Sequence, residues 1–331
     1  MLTLQRRTLI CGLAGLGAAS LAGIASPLWA QSVKKGKLAA KLRMVIPAMS
    51  RTSLDEFGRA LGDALVGASL CDELEYENKE GKGGTAGLAW YVEKYGSDPN
   101  AFFMGDTNLV GAVALQKPAV DMTQIQPVAR LTSDSQVLVV AGSSPIKTVN
   151  ELVERLRMNP KQTPIAIGSI GGADHLFAGL LAKSAGNRPD EAVYLSLARN
   201  FELVDAVLGG KAIAGISGYS TFAAELTSGK LRAIGVSSRR AAYGVRPARE
   251  QGVDVDISNW RAVFTGQGVV AARKAEMVEA VKTAMAYELW KKTLKQSYWE
   301  SAWLSGPDLS SFIDIDVKTT QVMVQLLKLK A

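Results

Sequence analysis

The stretch Ile165–Gly186, IAIGSIGGADHLFAGLLAKSAG, decides the fold. It opens with a short apolar run, Ile165-Ala166-Ile167, and continues through a small-residue loop from Gly168 to Ala173. Apolar residues then recur at Leu176, Phe177, Leu180 and Leu181, the stripe of an amphipathic helix. Gly186 is its stop signal. The unit reads strand, glycine loop, helix. First-turn amides of such a helix have no partner inside it and carry partial positive charge, so an anion is welcome there. The glycines let a ligand approach the backbone closely. By itself the pattern is unspecific, since plain α/β architecture uses the same turn. It is not GxGxxG, and no P-loop lysine follows. His175 is the only histidine in the chain. At a helix start it serves either as a capping and packing residue or as a ligand contact, and one histidine cannot build a metal site.

The same device recurs on either side. Leu42–Ile46 reads as a strand and Pro47–Thr52 as a loop. Ser53-Leu54-Asp55-Glu56 then reads as a capping box, with Ser53 at the N-cap, ahead of a stripe at Leu54, Phe57, Leu61 and Leu65. A strand over Ala101–Met104 ends in Gly105-Asp106-Thr107-Asn108. Polar residues directly after a strand of an open α/β sheet lie at the carboxyl edge, where ligands bind. Further strands are expected at 74–77, 137–140, 192–195, 213–216 and 230–236. A second capping box stands at Thr148–Glu151, and helices are expected at 200–208, 218–227, 276–294 and 308–327. Strands alternating with helices of ordinary length argue for parallel α/β sheets.

The 331 residues permit one large domain or two ordinary ones, and 47% apolar residues can bury a sizeable core. Net charge is +7, and Arg6 and Arg7 are the only charges in the first thirty residues, leaving +5 for the rest. No run of Lys and Arg is interleaved with aromatics, which argues against nucleic acid. A mild positive balance suits a small anion. Residues 1–30 read as an export signal: Arg6-Arg7, an apolar stretch from Thr8 to Ile24, and a small-residue end at Ala30. The paired arginines resemble a twin-arginine signal with Gln5 in place of Ser or Thr, so twin-arginine and general secretion both stay open. The expected location is the periplasm. After cleavage only Cys71 remains, so no internal disulfide is expected.

Several blocks together resemble the tripartite tricarboxylate transporter substrate-binding proteins, the Bug family, from about Leu42 to the C-terminus. Glu77-Asn78-Lys79 with Gly81, Gly83 and Gly84 resembles the family's ENRPGAGG, and Asp98–Gly105 resembles DGYTLLMG. Gln126–Ala129 with Val137–Val140 resembles FxPVA and VLVV, and Gly168-Ser169 through His175-Leu176 resembles GSxGxGxxxHL. Asp205–Gly210 resembles DLLGG, Gly229–Ala233 resembles the start of GKLRALAVTS, and Trp260 matches a late Trp. The resemblance implies an α/β, two-lobe periplasmic binding protein (type II-like) with its ligand cleft between the lobes. The implied division is 37–130 plus 260–331 for lobe one and 131–259 for lobe two. The family's loop PFPPGGxxD aligns with Pro47–Asp55, where Arg51-Thr52 replaces Gly-Gly, and its YKG segment aligns with Ser196-Leu197-Ala198.

The implied function is capture of a di- or tricarboxylate for a transporter's membrane subunits. The expected ligand contacts are Ser50, Arg51, Thr52, Ser53 and Asp55 in the first loop, and Asp106 and Thr107 after the Ala101–Met104 strand. Across the cleft they are Ser169, Gly171, Gly172, Ala173, Asp174, His175 and Ala198. Arg51 either forks a carboxylate or is a solvated loop arginine, and both readings stay open. No cofactor, no metal and a monomer are expected. Two other readings stay open: a binding protein that reports to a sensor, and an enzyme working in the cleft. The second lacks a G-x-S-x-G elbow, a metal-ligand cluster and a base placed beside Ser169.

Overall fold

Leu42, Met44, Val45 and Ile46 are all fully buried, on both faces of their strand. That suits the middle of a parallel sheet. In this computed structural model residues 36–197 and 199–330 are described, so the expected signal at 1–30 and Ala198 lie outside them. Strand β1 (Lys41–Ile46) pairs in parallel with β2 (Glu73–Asn78) and β3 (Ala101–Asp106). Helices α1 (Ser53–Gly67), α2 (Thr85–Tyr95) and α3 (Thr107–Gln116) connect them and lead onward.

Then comes β4 (Ile125–Ala141), followed by α4 (Val149–Met158), β5 (Ile165–Ile167) and α5 (Ala173–Ser184). The chain continues through β6 (Tyr194–Ser196), α6 (Asn200–Leu208), β7 (Ala214–Gly218), α7 (Tyr219–Thr227) and β8 (Leu231–Val236). It returns through β9 (Ser258–Gly266), α8 (Ala271–Ala286), α9 (Glu288–Gln296), β10 (Ser301–Ser305) and α10 (Gly306–Leu327).

The strand order is β2-β1-β3-β9-β4-β7-β5-β6, with β8 and β10 also pairing with β4. The first part of β4 runs antiparallel to β9 and β10, and its end runs antiparallel to β7 and β8. The expected parallel pairing therefore holds for β1 with β2 and β3, and for β5 with β6 and β7. The middle of the sheet is antiparallel, and β4 joins the two halves. The sequence reading has β4 only from Val137. Pro127 and the polar Ser133–Gln136 hide the rest, and the register shifts near Pro127 let a strand accept it.

The anchor unit forms as read: β5, a loop with Gly171 at φ 85°, then α5 with Phe177 and Leu181 fully buried. The Thr148–Glu151 box closes both ways, each bond at 3.2 Å. The box expected at Ser53–Glu56 does not. Thr52 is the N-cap residue, and the Ser53 hydroxyl accepts from Arg261 at 2.9 Å instead. The helix expected over 276–294 is two helices, α8 and α9, broken where Tyr287 turns extended (ψ 141°).

Each half has its own core. Cys71, buried, packs with α1 and α8 in the first half. In the second, α4 and α5 cover β5 and β7. The end of α10 and the residues after it belong to that second core: Val324, Leu327 and Leu329 cluster with Phe177 and Leu181. No helix among the described residues is long and apolar enough to cross a membrane.

Candidate functional site

A cleft of about 720 Å³ opens between the two halves. Gln136 of β4 and Asn259 and Arg261 of β9 line its floor, where the central strands meet. One wall is the start of α1, the loop Gly81–Gly84, and Asp106 with Asn108. The other is the loop Gly168–Ile170 with Asp174, Ser196, Asn200, Ser217, Gly218, Ser220 and Thr221.

Arg261 is buried, with its side chain only 3% exposed, yet it reaches the cleft. Its Nη1 donates to the Asp134 carboxylate and to Thr132 Oγ1 (3.3 Å), and its Nη2 donates to Ser53 Oγ (2.9 Å). Asp134 also accepts from the Glu300 amide at 2.7 Å. A guanidinium has five N–H donors. Three are used in these bonds, leaving Arg261 donors for an anion in the cleft.

Of the residues expected to touch ligand, Thr52, Ser53, Asp106, Ser169 and Asp174 line the cleft. Ala198 lies outside the described residues, and the remaining ones fall outside that lining. Ser50 and Arg51 are exposed, outside the lining residues. The Arg51 amide donates to Asp55 at 2.8 Å in a backbone with φ 65°. Asp55 is buried and also accepts from Arg59 (3.0 Å) and Asn78 (2.9 Å). Burial works to raise its carboxyl, but Arg59, the Arg51 amide and Asn78 hold it below the ordinary value. Thr107 clamps β9: its hydroxyl donates to the Ser258 carbonyl and accepts from the Trp260 amide, both at 3.0 Å.

The amides expected to be free at α5 are mostly taken. The Asp174 carboxylate accepts from the amides of Gly168, Ser169 (3.2 Å) and His175 (2.9 Å). The Gly171 amide donates to His175 Nδ1 at 2.9 Å, so His175 holds the loop in shape rather than facing the cleft. The Ala173 amide donates to Asn108 across the walls at 3.3 Å. Gly171 lies against Gly111 of α3: a Cβ on Gly111 would come 1.9 Å from the Gly171 carbonyl oxygen. Asp106 caps α3 by accepting from the Leu109 amide at 3.0 Å, and burial raises its carboxyl.

Sequence reasoning missed Arg261, Asn259 and Gln136. The signal for Asn259 and Arg261 was polar residues flanking Trp260 ahead of an apolar run, a period of 2 that marks one polar strand face; Gln136, at the end of the polar run from Ser133, carried no such signal.

Asp174 and His175 titrate in opposite senses. Burial pushes the Asp174 carboxyl up to about 6, against the pull of the Gly168, His175 and Ser169 amides. Burial lowers the His175 imidazole from 6.5 to about 4. The raised carboxyl makes the fold gain stability as pH falls through 6, and the depressed imidazole makes it lose stability as pH falls below 6.5. Each shift is worth roughly 3 kcal/mol, so the two nearly cancel. Relative to wild type, Asp174→Asn should lose about 3 kcal/mol between pH 6.5 and 4, and His175→Gln should gain about as much. Denaturant unfolding across that range checks it; variant curves parallel to wild type would refute the pairing.

An α/β fold whose two half-sheets meet at a cleft is the fold of solved periplasmic binding proteins. The chain superimposes on the periplasmic binding protein BugD with a TM-score of 0.75 at 19% identity, covering 88% of this chain and 98% of that one. MatC of Rhodopseudomonas palustris with bound malate gives 0.74 at 18% identity over 86% and 98%. An adipate-bound protein of R. palustris gives 0.78 at 17% identity over 88% and 98%. A Pseudomonas protein described as "UPF0065 protein in tcbD-tcbE intergenic region" is 24% identical over 82% of this chain and 84% of its own length. Residues 68–329 match the tripartite tricarboxylate transporter family receptor, and the chain belongs to that family.

Proposed function

We propose that this chain is a periplasmic receptor that captures a small organic acid, of the di- or tricarboxylate class, and hands it to the membrane subunits of a tripartite tricarboxylate-type transporter. Family membership supports the class of partner. The observation that carries the ligand chemistry is Arg261, a buried cation with unused donors on the cleft floor. Charge-assisted bonds from such a group favour a carboxylate. Arg51 takes no part in this reading. Export through the signal at 1–30 and action without catalysis, metal or cofactor belong to the same proposal; among the described residues no three His, Cys, Asp or Glu gather as metal ligands.

We place lobe one at 37–130 plus 260–331, with the end of α10 shared, and lobe two at 131–259. The hydrogen bonding of β4 into both half-sheets supports a junction there. Calorimetry of the exported chain against a carboxylate panel, together with mass spectrometry of any acid retained through purification, tests the reading. A single saturable site for a carboxylate is expected. Binding of neutral solutes with no acid bound would refute it. Capture of membrane transport subunits, rather than a sensor kinase, tests the partner.

A further inference from the structure

Trp260 points into the core of the first half, where its Nε1 donates to Asp316 at 3.0 Å. Its neighbours Asn259 and Arg261 therefore share the opposite face of β9, and both line the cleft. The backbone around Asn259 is fixed on both sides, since Thr107 binds the Ser258 carbonyl and the Trp260 amide. No described residue fixes the Asn259 side chain by a hydrogen bond. It is 7% exposed, makes no hydrogen bond with a described residue, and buries its Oδ1 without a donor. Leaving a buried amide oxygen unpaired is unfavourable, and folded proteins seldom leave one without a partner unless a ligand or water supplies it.

Resting on the organic-acid reading above, we propose that Asn259 recognises a protic substituent, a hydroxyl or an ammonium, on the carbon beside the carboxylate held by Arg261. Residues two apart on a strand lie roughly 6.5–7 Å apart and project to the same side. A carboxylate and a substituent on the adjacent carbon, each with one hydrogen bond to the strand, bridge that spacing. Asn259 then selects among acids of equal charge: the unsubstituted acid leaves its amide unpaired, and the substituted acid pairs it. A site built to hydrogen-bond such a group discriminates against the analogue lacking it more strongly than an apolar pocket can discriminate by size.

The test is calorimetry on the intact exported chain with matched probes: malate, aspartate and succinate, and citrate against tricarballylate. Wild type should bind the substituted acids roughly 10-fold or more tighter than the unsubstituted ones. The malate and aspartate arms tell hydroxyl from ammonium. Asn259→Ala should erase the preference, and Arg261→Lys should weaken all the acids together. Equal binding of malate, aspartate and succinate by wild type overturns the assignment without any variant, as does a preference that survives Asn259→Ala in a folded protein. Failure of every acid to bind would instead remove the organic-acid reading itself.

Discussion

Arg261→Met is expected to destabilise the chain by about 3–5 kcal/mol and to abolish carboxylate binding. The guanidinium is one half of a buried ion pair, and removing it leaves Asp134 buried with the Glu300 amide as its remaining hydrogen-bond donor among the described residues. Burying an uncompensated carboxylate is what makes the loss large. The melting temperature should fall by on the order of 10 °C. The double change Arg261→Met with Asp134→Leu separates the two roles. Replacing both members of a buried pair by apolar side chains is often neutral, so thermal stability should largely return, while binding should stay lost. Thermal melts and calorimetry on the two variants read these outcomes. A double variant that binds carboxylate as wild type does would show that Arg261 serves the fold alone.

The second large effect is expected at Gly111. Helix α3 and the loop after β5 meet backbone to backbone there, and a Cβ would come 1.9 Å from the Gly171 carbonyl oxygen. Neither partner is the flexible end of a side chain, so the two walls must move apart. Overpacking of this kind costs about 1–3 kcal/mol. Here the strain falls on the closed arrangement in which Asn108 meets the Ala173 amide. Gly111→Val should therefore weaken ligand binding by roughly 5- to 150-fold with little change in secondary structure. It should also enlarge the molecule in solution scattering when ligand is present. Unchanged affinity in Gly111→Val would mean that the cleft binds without this contact.

The units built from local signals were legible. The period of Leu176, Phe177 and Leu181 and the reciprocal bonds of Thr148 and Glu151 depend on residues a few positions apart. What the sequence hides is which partner a polar group chooses across the fold. Ser53 looks like an N-cap residue until Arg261 claims its hydroxyl. The first-turn amides of α5 look free until Asn108 takes the Ala173 amide and Asp174 takes the His175 amide. Arg51 sits in a loop and invites a ligand role, whereas Arg261 sits in an apolar strand and looks like a misplaced charge. The register that sets Asn259 opposite Asp134 puts Arg261 in the cleft, and register between distant strands is not written in either segment alone.

The buried Cys71 gives this molecule a private stopwatch. Burial raises its thiol, and only the thiolate reacts with a disulfide reagent, so labelling waits for the core around α1 and α8 to open. With Cys11 replaced or removed with residues 1–30, Cys71 is the one thiol left, so a single signal times the opening of that half and is blind to the half carrying α5. Slower labelling with acid present would mean that occupancy in the cleft steadies a core that the acid never touches.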